Sequence, residues 1–147
     1  MVLVVVCFSA LVGCSRIPFV RDWIIKDEER KTRNTEIAIE NSPLLQDLNR
    51  VCTEISKPEG FTLVRKSMGG KIVDFLELGY HSNMEYREAK SFYIGDMSKQ
   101  GWQFLGENEH VSSQSMEFQK DGYSAEIGHF YNDDGINYSF ICKKIQN

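Results

Sequence analysis

The chain has 147 residues, of which 41% are hydrophobic and 26% are charged, with a formal net charge of −4. This length and composition suffice for one core of ordinary size and exclude a chain that is disordered by composition. Acidic and basic side chains are interspersed without a basic stripe, so we expect no nucleic-acid partner. The four cysteines form no C-x-x-C pair and no histidine stands at zinc-ligand spacing, so we expect neither a metal nor a cofactor.

The chain begins with an uncharged apolar run, residues 2–13 (VLVVVCFSALVG). The run is too short to cross a hydrocarbon core, which needs about 20 apolar residues, but it fits the ~7–15-residue core of a secretory signal. Its end, Leu11-Val12-Gly13-Cys14, resembles the lipobox of bacterial lipoproteins. The resemblance implies that Cys14 receives a diacylglyceryl group, that the signal is cut before it and that the new N-terminus is acylated. The partner so implied is a membrane, reached through lipid from its extracytoplasmic side.

Two other interpretations of the apolar run stay open. No Lys or Arg precedes it, whereas secretory signals carry a positive n-region. A single-pass signal anchor would extend through Ile25 and would bury Arg16, Arg21 and Asp22, each at a cost of ~2.5–3.5 kcal/mol near the bilayer centre. A buried strand or helix of the globular core is the third interpretation.

A charged segment separates the apolar run from the rest of the chain. Residues 26–36 (KDEERKTRNTE) hold four basic and four acidic side chains and no large apolar one. They predict a solvated spacer or a fraying helix. We therefore divide the chain into residues 1–14 (signal peptide and lipobox), 15–40 (charged tether) and 41–147 (a single α+β domain).

Two helices are predicted within the domain. The first begins at Ser42-Pro43, an N-cap followed by proline in the first turn, and ends before Pro58. The second follows Ser82 and Glu85, which stand at the spacing of a capping box, and ends at Gly101. The apolar positions of the two helices are Leu44, Leu45, Leu48, Val51, Cys52 and Ile55 in the first, and Tyr86, Ala89, Tyr93 and Met97 in the second.

Short strands are predicted on either side of the second helix. Residues 61–68 and 72–81 form a hairpin around Gly69-Gly70-Lys71. Strands at residues 102–105, 115–120, 123–131 and 137–144 follow the helix, and turn residues at 121–122 and 133–135 make the last three an antiparallel meander. Apolar and polar residues alternate in these strands, so we expect a sheet that is apolar on one face only.

Together these elements predict an α+β fold in the order α-ββ-α-ββββ, with two helices packed on one face of a largely antiparallel sheet of about six strands. A hairpin, a helix containing Phe92-Tyr93 and a strand opening at Gly101-Trp102 follow one another. This succession resembles small uncharacterised envelope lipoproteins. The resemblance does not imply a particular activity.

Cys52 and Cys142 fall on predicted core faces, one on the first helix and one on the last strand. In an oxidising compartment this placement predicts a disulfide. Two separately buried thiols are the alternative, because free cysteine is among the most buried residue types.

No pattern of side chains in the sequence predicts catalytic residues. His81, His110 and His129 lie in different predicted elements, and we interpret them as surface or rim histidines. Glu107 and Glu109 stand near His110 in a segment that predicts a solvated loop, with an acid–base pair as the alternative.

Two further groups have a structural interpretation. Residues 132–135 (NDDG) predict a turn rather than a calcium site, because no spaced carboxylate follows. The aromatic residues are interpreted as core rather than as the lining of an apolar pocket: Tyr80, Tyr86, Phe92, Tyr93, Trp102, Tyr123, Tyr131 and Tyr138.

The function expected from the sequence is that of a lipid-anchored extracytoplasmic protein, a non-enzymatic binding or structural module of the cell envelope. Its partner would be an envelope protein or a hydrophobic ligand. The alternatives are a small hydrolase-type enzyme that uses the Glu107–His110 loop, and a single-pass signal-anchored protein.

Overall fold

Residues 18–70, 74–130 and 137–145 are described by the computed structural model. They form, in chain order, α1 (Pro18–Asn41), α2 (Pro43–Glu54), β1 (Thr62–Gly69), β2 (Phe75–His81), α3 (Tyr86–Lys99), β3 (Gln103–His110), β4 (Ser113–Lys120), β5 (Tyr123–Phe130) and β6 (Tyr138–Lys144). The predicted α+β class is confirmed, and the helix α1 precedes the predicted order of elements.

The strands of the described residues form one antiparallel sheet in the order β1-β2-β6-β5-β4-β3. β4, β5 and β6 are neighbours, which confirms the predicted meander, and β2 joins it by pairing with β6. The register aligns Leu78, Phe140 and Ile127 in one row across β2, β6 and β5. All three side chains are fully buried, so this face of the sheet carries the core.

The first predicted helix, α2, begins at the expected residues. The Ser42 hydroxyl accepts the backbone N–H of Leu45 at 3.4 Å, and Pro43 occupies the first turn. Leu48 and Cys52 are fully buried on the face that packs against β2 and β6. A local cap and a regular apolar period therefore determine this helix.

The end of α3 is a Schellman motif. Gly101 has φ +84°, and its N–H donates to the Ser98 carbonyl at 3.0 Å. The N–H of Trp102 donates to the Met97 carbonyl at 2.9 Å, and both of these side chains are buried. Glycine is favoured here because it reaches positive φ without a Cβ clash, so the predicted stop is confirmed.

The predicted capping box at the start of α3 is wrong. The N-cap is Glu85, whose side chain makes no capping hydrogen bond. The Ser82 hydroxyl instead accepts the N–H of Met84 at 3.1 Å and closes a turn before the helix. The Ser82 N–H donates to Asn137 Oδ1 at 2.8 Å, a partner 55 residues away in sequence. A contact with the start of β6 therefore fixes the approach to α3.

The helix α1 covers residues predicted as the charged tether and lies along β1, an edge strand of the sheet. Thr32 Oγ1 accepts the backbone N–H of Lys66 at 3.1 Å, and Arg65 Nε lies 3.5 Å from Glu28 Oε2. Thr35 is only 3% exposed, so this segment contributes to the buried structure in spite of its charge. A helix along an edge strand covers backbone groups that would otherwise be open to pairing.

Candidate functional site

Cys52 of α2 and Cys142 of β6 form the predicted disulfide, with their Cα atoms 5.9 Å apart and a sequence separation of 90. Both side chains are fully buried between the helix and the sheet. Reactive disulfides need an exposed sulfur atom that a thiolate can reach. The bond is therefore a structural cross-link between two layers of the domain.

The predicted solvated loop at residues 107–110 is wrong, because these residues are the second half of β3. Glu109 lies opposite Gln114 and His110 opposite Ser113 in the ladder with β4. Neighbouring residues of a strand project to opposite faces of the sheet, so Glu109 and His110 do not form an acid–base pair. Residues such as Gly106 are poor strand formers, and strand pairing overrides this local preference.

Glu107 lies on the helix-facing side of β3 and joins this strand to α3. The Tyr86 hydroxyl donates to Glu107 Oε1 at 3.0 Å, and the Lys90 ammonium pairs with Oε2. The hydrogen bond from Lys90 holds the pKa of the Glu107 carboxyl below its usual range. Burial, reinforced by the bond to Glu107, raises the pKa of the Tyr86 phenol. At neutral pH the carboxylate is charged and the phenol is neutral. The cluster therefore links β3 to α3 through one hydrogen bond and one ion pair.

The three histidines differ in their surroundings. His81 and His110 are exposed, as predicted. His129 is 7% exposed, so the prediction of a surface or rim position is wrong for it. Its ring centroid lies 4.8 Å from that of Tyr138 and 6.0 Å from that of Tyr86. The period of two along β5 places His129 on the core face, and this was the sequence signal that could have found it.

An open cleft of about 260 Å³ lies beside His129, between the approach to α3 and the ends of β5 and β6. Its lining includes Met84, Glu85 and Asn137. Burial lowers the pKa of His129, and the nearby Glu85 carboxylate acts in the opposite direction. Amide, carboxylate and imidazole groups in one cleft suit a small polar group that is held by hydrogen bonds.

Lys57 is a half-buried cation that the sequence analysis missed. Its Nζ donates to the carbonyls of Cys52 at 2.8 Å and Thr53 at 3.1 Å, in the last turn of α2. The same atom lies 5.3 Å from the ring centroid of Phe140. Burial lowers the pKa of Lys57 to about 8. Because it satisfies carbonyls at a helix C-terminus, Lys57 caps α2. In the sequence, the position of Lys57 just after the helix and before Pro58 was the signal that could have indicated this role.

The interpretation of the aromatic residues as core is confirmed for those that the structure describes. Five are buried and two more pack against the core: Tyr80, Tyr86, Tyr93, Trp102 and Tyr138, then Phe92 and Tyr123. Phe61 completes the group, with its ring centroid 4.7 Å from that of Tyr138. These rings fill the space between the helices and the sheet.

Exposed apolar side chains gather where α1 and β1 begin. Trp23 is 63% exposed, and Ile24 and Ile25 beside it are also exposed. Leu63 and Val64, near the start of β1, are each 42% exposed. Contiguous apolar surface of this kind marks interaction sites more often than scattered single residues do.

Several predicted features lie outside the described residues: the lipidation residue Cys14, the rest of residues 1–17, and the turn at 132–135. Among the residues that are described, no three His, Cys, Asp or Glu side chains are grouped to hold a metal ion. In the same part of the chain, no helix has both the length and the apolar character needed to span a membrane.

No family model, curated protein or solved structure matches this chain.

Proposed function

We propose that this protein is a lipid-anchored, extracytoplasmic module of the cell envelope that binds another envelope protein. The observation that carries the proposal is the buried disulfide between Cys52 and Cys142, taken with the lipobox-like end of the N-terminal apolar run. Disulfides form and persist in oxidising compartments outside the cytoplasm and are rare inside it. A cross-link in the core thus supports the address that the N-terminal sequence implies.

The N-terminal sequence provides the means of attachment. Cys14 stands four residues before α1, and acyl chains contribute about 0.8 kcal/mol for each buried methylene. The 24 residues of α1 extend about 36 Å at 1.5 Å per residue. Because α1 packs along β1, we propose that it joins the anchor to the sheet as a continuous helix.

The surfaces of the domain favour a protein partner over a hydrophobic ligand, since most of the described aromatic side chains lie in the core or pack against it. A cleft of about 380 Å³ between α1 and β1 is lined mainly by polar side chains, among them Lys31, Arg65 and Glu77. Polar and charged groups of both signs at the rim are typical of protein interfaces. The hydrolase alternative has no support from Glu109 and His110, which project to opposite faces of β3.

The decisive experiment is mass spectrometry of the N-terminal peptide of protein purified from membranes, together with metabolic labelling by a fatty acid. We expect an acylated Cys14 as the first residue. The Cys14→Ala variant should take up no label and keep residues 1–13. The matched control is Cys7→Ala, in the same apolar run, which should be processed and labelled like the wild type.

An unmodified Cys14 in the wild-type peptide would contradict the lipid anchor, and retention of residues 1–13 would favour the signal anchor instead. Binding is tested separately, by affinity purification of the acylated protein from detergent extracts. One envelope protein recovered in stoichiometric amount supports the binding role. Recovery of the protein alone favours a structural role in the envelope.

A further inference from the structure

We propose that the end of the domain formed by Trp23, Ile24 and Ile25 of α1 and by Leu63 and Val64 of β1 lies in the headgroup region of the membrane that holds the N-terminus. These five residues are called the apolar end below. The inference rests on the proposed function, which supplies the membrane, and adds the orientation of the domain on it.

The contacts between α1 and β1 bring the two parts of the apolar end together. Thr32 meets Lys66, and Glu28, one turn earlier in α1, meets Arg65, one residue earlier in β1. Helix and strand therefore run in the same direction. Ile24 lies about 12 Å from Thr32 along the helix, and Leu63 lies about 10 Å from Lys66 along the strand. The start of α1 and the start of β1 are consequently at the same end of the molecule.

The apolar end is open to solvent in the folded domain. Exposed fractions are 63% for Trp23, 47% for Ile25, 39% for Ile24 and 42% for both Leu63 and Val64. Three successive helix positions sweep about 200° around the axis, so this turn of α1 is apolar on most of its sides. A helix that packs only against a sheet needs a narrower stripe, whereas an apolar end suits immersion in an apolar medium.

The chain outside the described residues indicates which medium this is. From Cys14 to Pro18 the chain reaches at most about 14 Å, and the five helical residues to Trp23 add about 7.5 Å. An acylated Cys14 therefore keeps Trp23 within about 22 Å of its own lipid. Tryptophan is enriched at membrane interfaces, because its ring is apolar and its N–H forms hydrogen bonds.

The fold offers a control position that is also apolar but lies far from the apolar end. Leu105, in the first half of β3, is 50% exposed. β3 and β1 are the opposite edges of the sheet, about 24 Å apart at the usual strand spacing. The row of paired residues that starts at Leu63 ends at Glu109 in β3, four residues after Leu105, so Leu105 lies about 13 Å farther along the strands from the apolar end. An orientation with the apolar end towards the bilayer therefore keeps Leu105 away from it.

The test reconstitutes the full acylated protein in phosphatidylcholine vesicles whose acyl chains carry bromine, which quenches nearby tryptophan. The chain has two tryptophans, and Trp102 is buried, so the difference between wild type and Trp23→Phe gives the Trp23 signal without a change in the core. We expect Trp23 to lose more than about half of its emission relative to unbrominated vesicles, as an interfacial residue should. The emission of Trp102 should not change.

Two further variants, in the Trp23→Phe background, test the β1 side. Bromine should quench the added tryptophan of Val64→Trp and should not quench that of Leu105→Trp. A domain that stands off the membrane gives the opposite result for Trp23, namely quenching by aqueous iodide and none by bromine, and this would overturn the inference. Equal responses of Val64→Trp and Leu105→Trp would overturn it as well.

The mass of the N-terminal peptide, measured on the same vesicles, separates the two proposals. An acylated Cys14 with an unquenched Trp23 overturns the orientation and leaves the proposed function standing. An unmodified Cys14 overturns the proposed function, whatever the bromine shows.

Discussion

The hydroxyl of Thr32 accepts the backbone N–H of Lys66 at 3.1 Å, so a side chain of α1 satisfies an outward backbone donor of the edge strand β1. An edge strand is a template for pairing with other chains unless it is covered or interrupted. α1 covers this one with a charged helix, and Lys66 Nζ adds an ion pair with Glu36 at 3.4 Å. α1 thereby covers this edge of the sheet at Lys66.

Replacing Thr32 by valine, which has nearly the same shape, removes the acceptor. We expect the free energy of unfolding to fall by about 1 kcal/mol and the Lys66 amide to exchange with solvent faster. Thr53→Val is the control, because the exposed Thr53 hydroxyl bonds only to carbonyls of its own helix. Equal effects of the two substitutions in denaturant titrations would contradict the role of Thr32.

Reduction of the Cys52–Cys142 bond should destabilise the domain strongly. On the chain-entropy model, a loop with a sequence separation of 90 contributes about 4–5 kcal/mol. We expect denaturant titrations of oxidised and reduced protein to differ by this order, and a digest without reductant to yield the two cysteine peptides joined. Two alkylatable thiols at Cys52 and Cys142 in denatured, unreduced protein would contradict the cross-link.

Two buried tyrosines should respond oppositely to loss of their hydroxyl groups. The Tyr93 hydroxyl has no hydrogen-bond partner among the described residues, whereas that of Tyr138 donates to the Met84 carbonyl at 2.8 Å. Tyr93→Phe should leave the free energy of unfolding unchanged or raise it, because it removes an unpaired buried polar group. Tyr138→Phe should lower it by about 1 kcal/mol or more. A larger loss in Tyr93→Phe than in Tyr138→Phe would be the contrary result.

The stability of the domain should depend on pH through Lys57. Burial lowers its pKa from 10.5 to about 8, so between these values the unfolded chain binds one proton more than the folded domain. The free energy of unfolding should therefore rise as pH increases from about 8 to 10.5. Lys57→Arg stays protonated in both states and keeps donors for the two carbonyls, so it should lose this rise.

The pH dependence of wild type and of Lys57→Arg is best compared below pH 10. Burial raises the pKa of Tyr80 to about 12, so at higher pH the unfolded chain loses its tyrosine protons first and stability falls. Identical slopes for wild type and Lys57→Arg, measured in denaturant titrations from pH 7.5 to 10, would contradict the lowered pKa of Lys57.

The sequence predicted the elements whose signals are local. Ser42-Pro43 fixed the start of α2, Gly101 fixed the end of α3, and alternation with turn residues fixed the meander. It failed where the decisive partner is distant. Ser82 has the spacing of an N-cap, but its N–H binds Asn137. Residues 107–110 have the composition of a loop, but they pair with β4.

For this protein, composition, apolar period and turn residues by themselves determined the α+β class and the placement of Cys52 and Cys142 on core faces. The resemblance to a lipobox rests on the four residues Leu11-Val12-Gly13-Cys14 alone. Tertiary structure alone decided that a charged segment packs on the sheet as α1 and that Glu107 ties β3 to α3. It also decided that His129 is buried and that exposed apolar side chains of α1 and β1 lie at the same end of the molecule. The physical reason is that periodicity and capping act within a few residues, whereas burial, edge pairing and ion pairs depend on which distant residues the fold brings together.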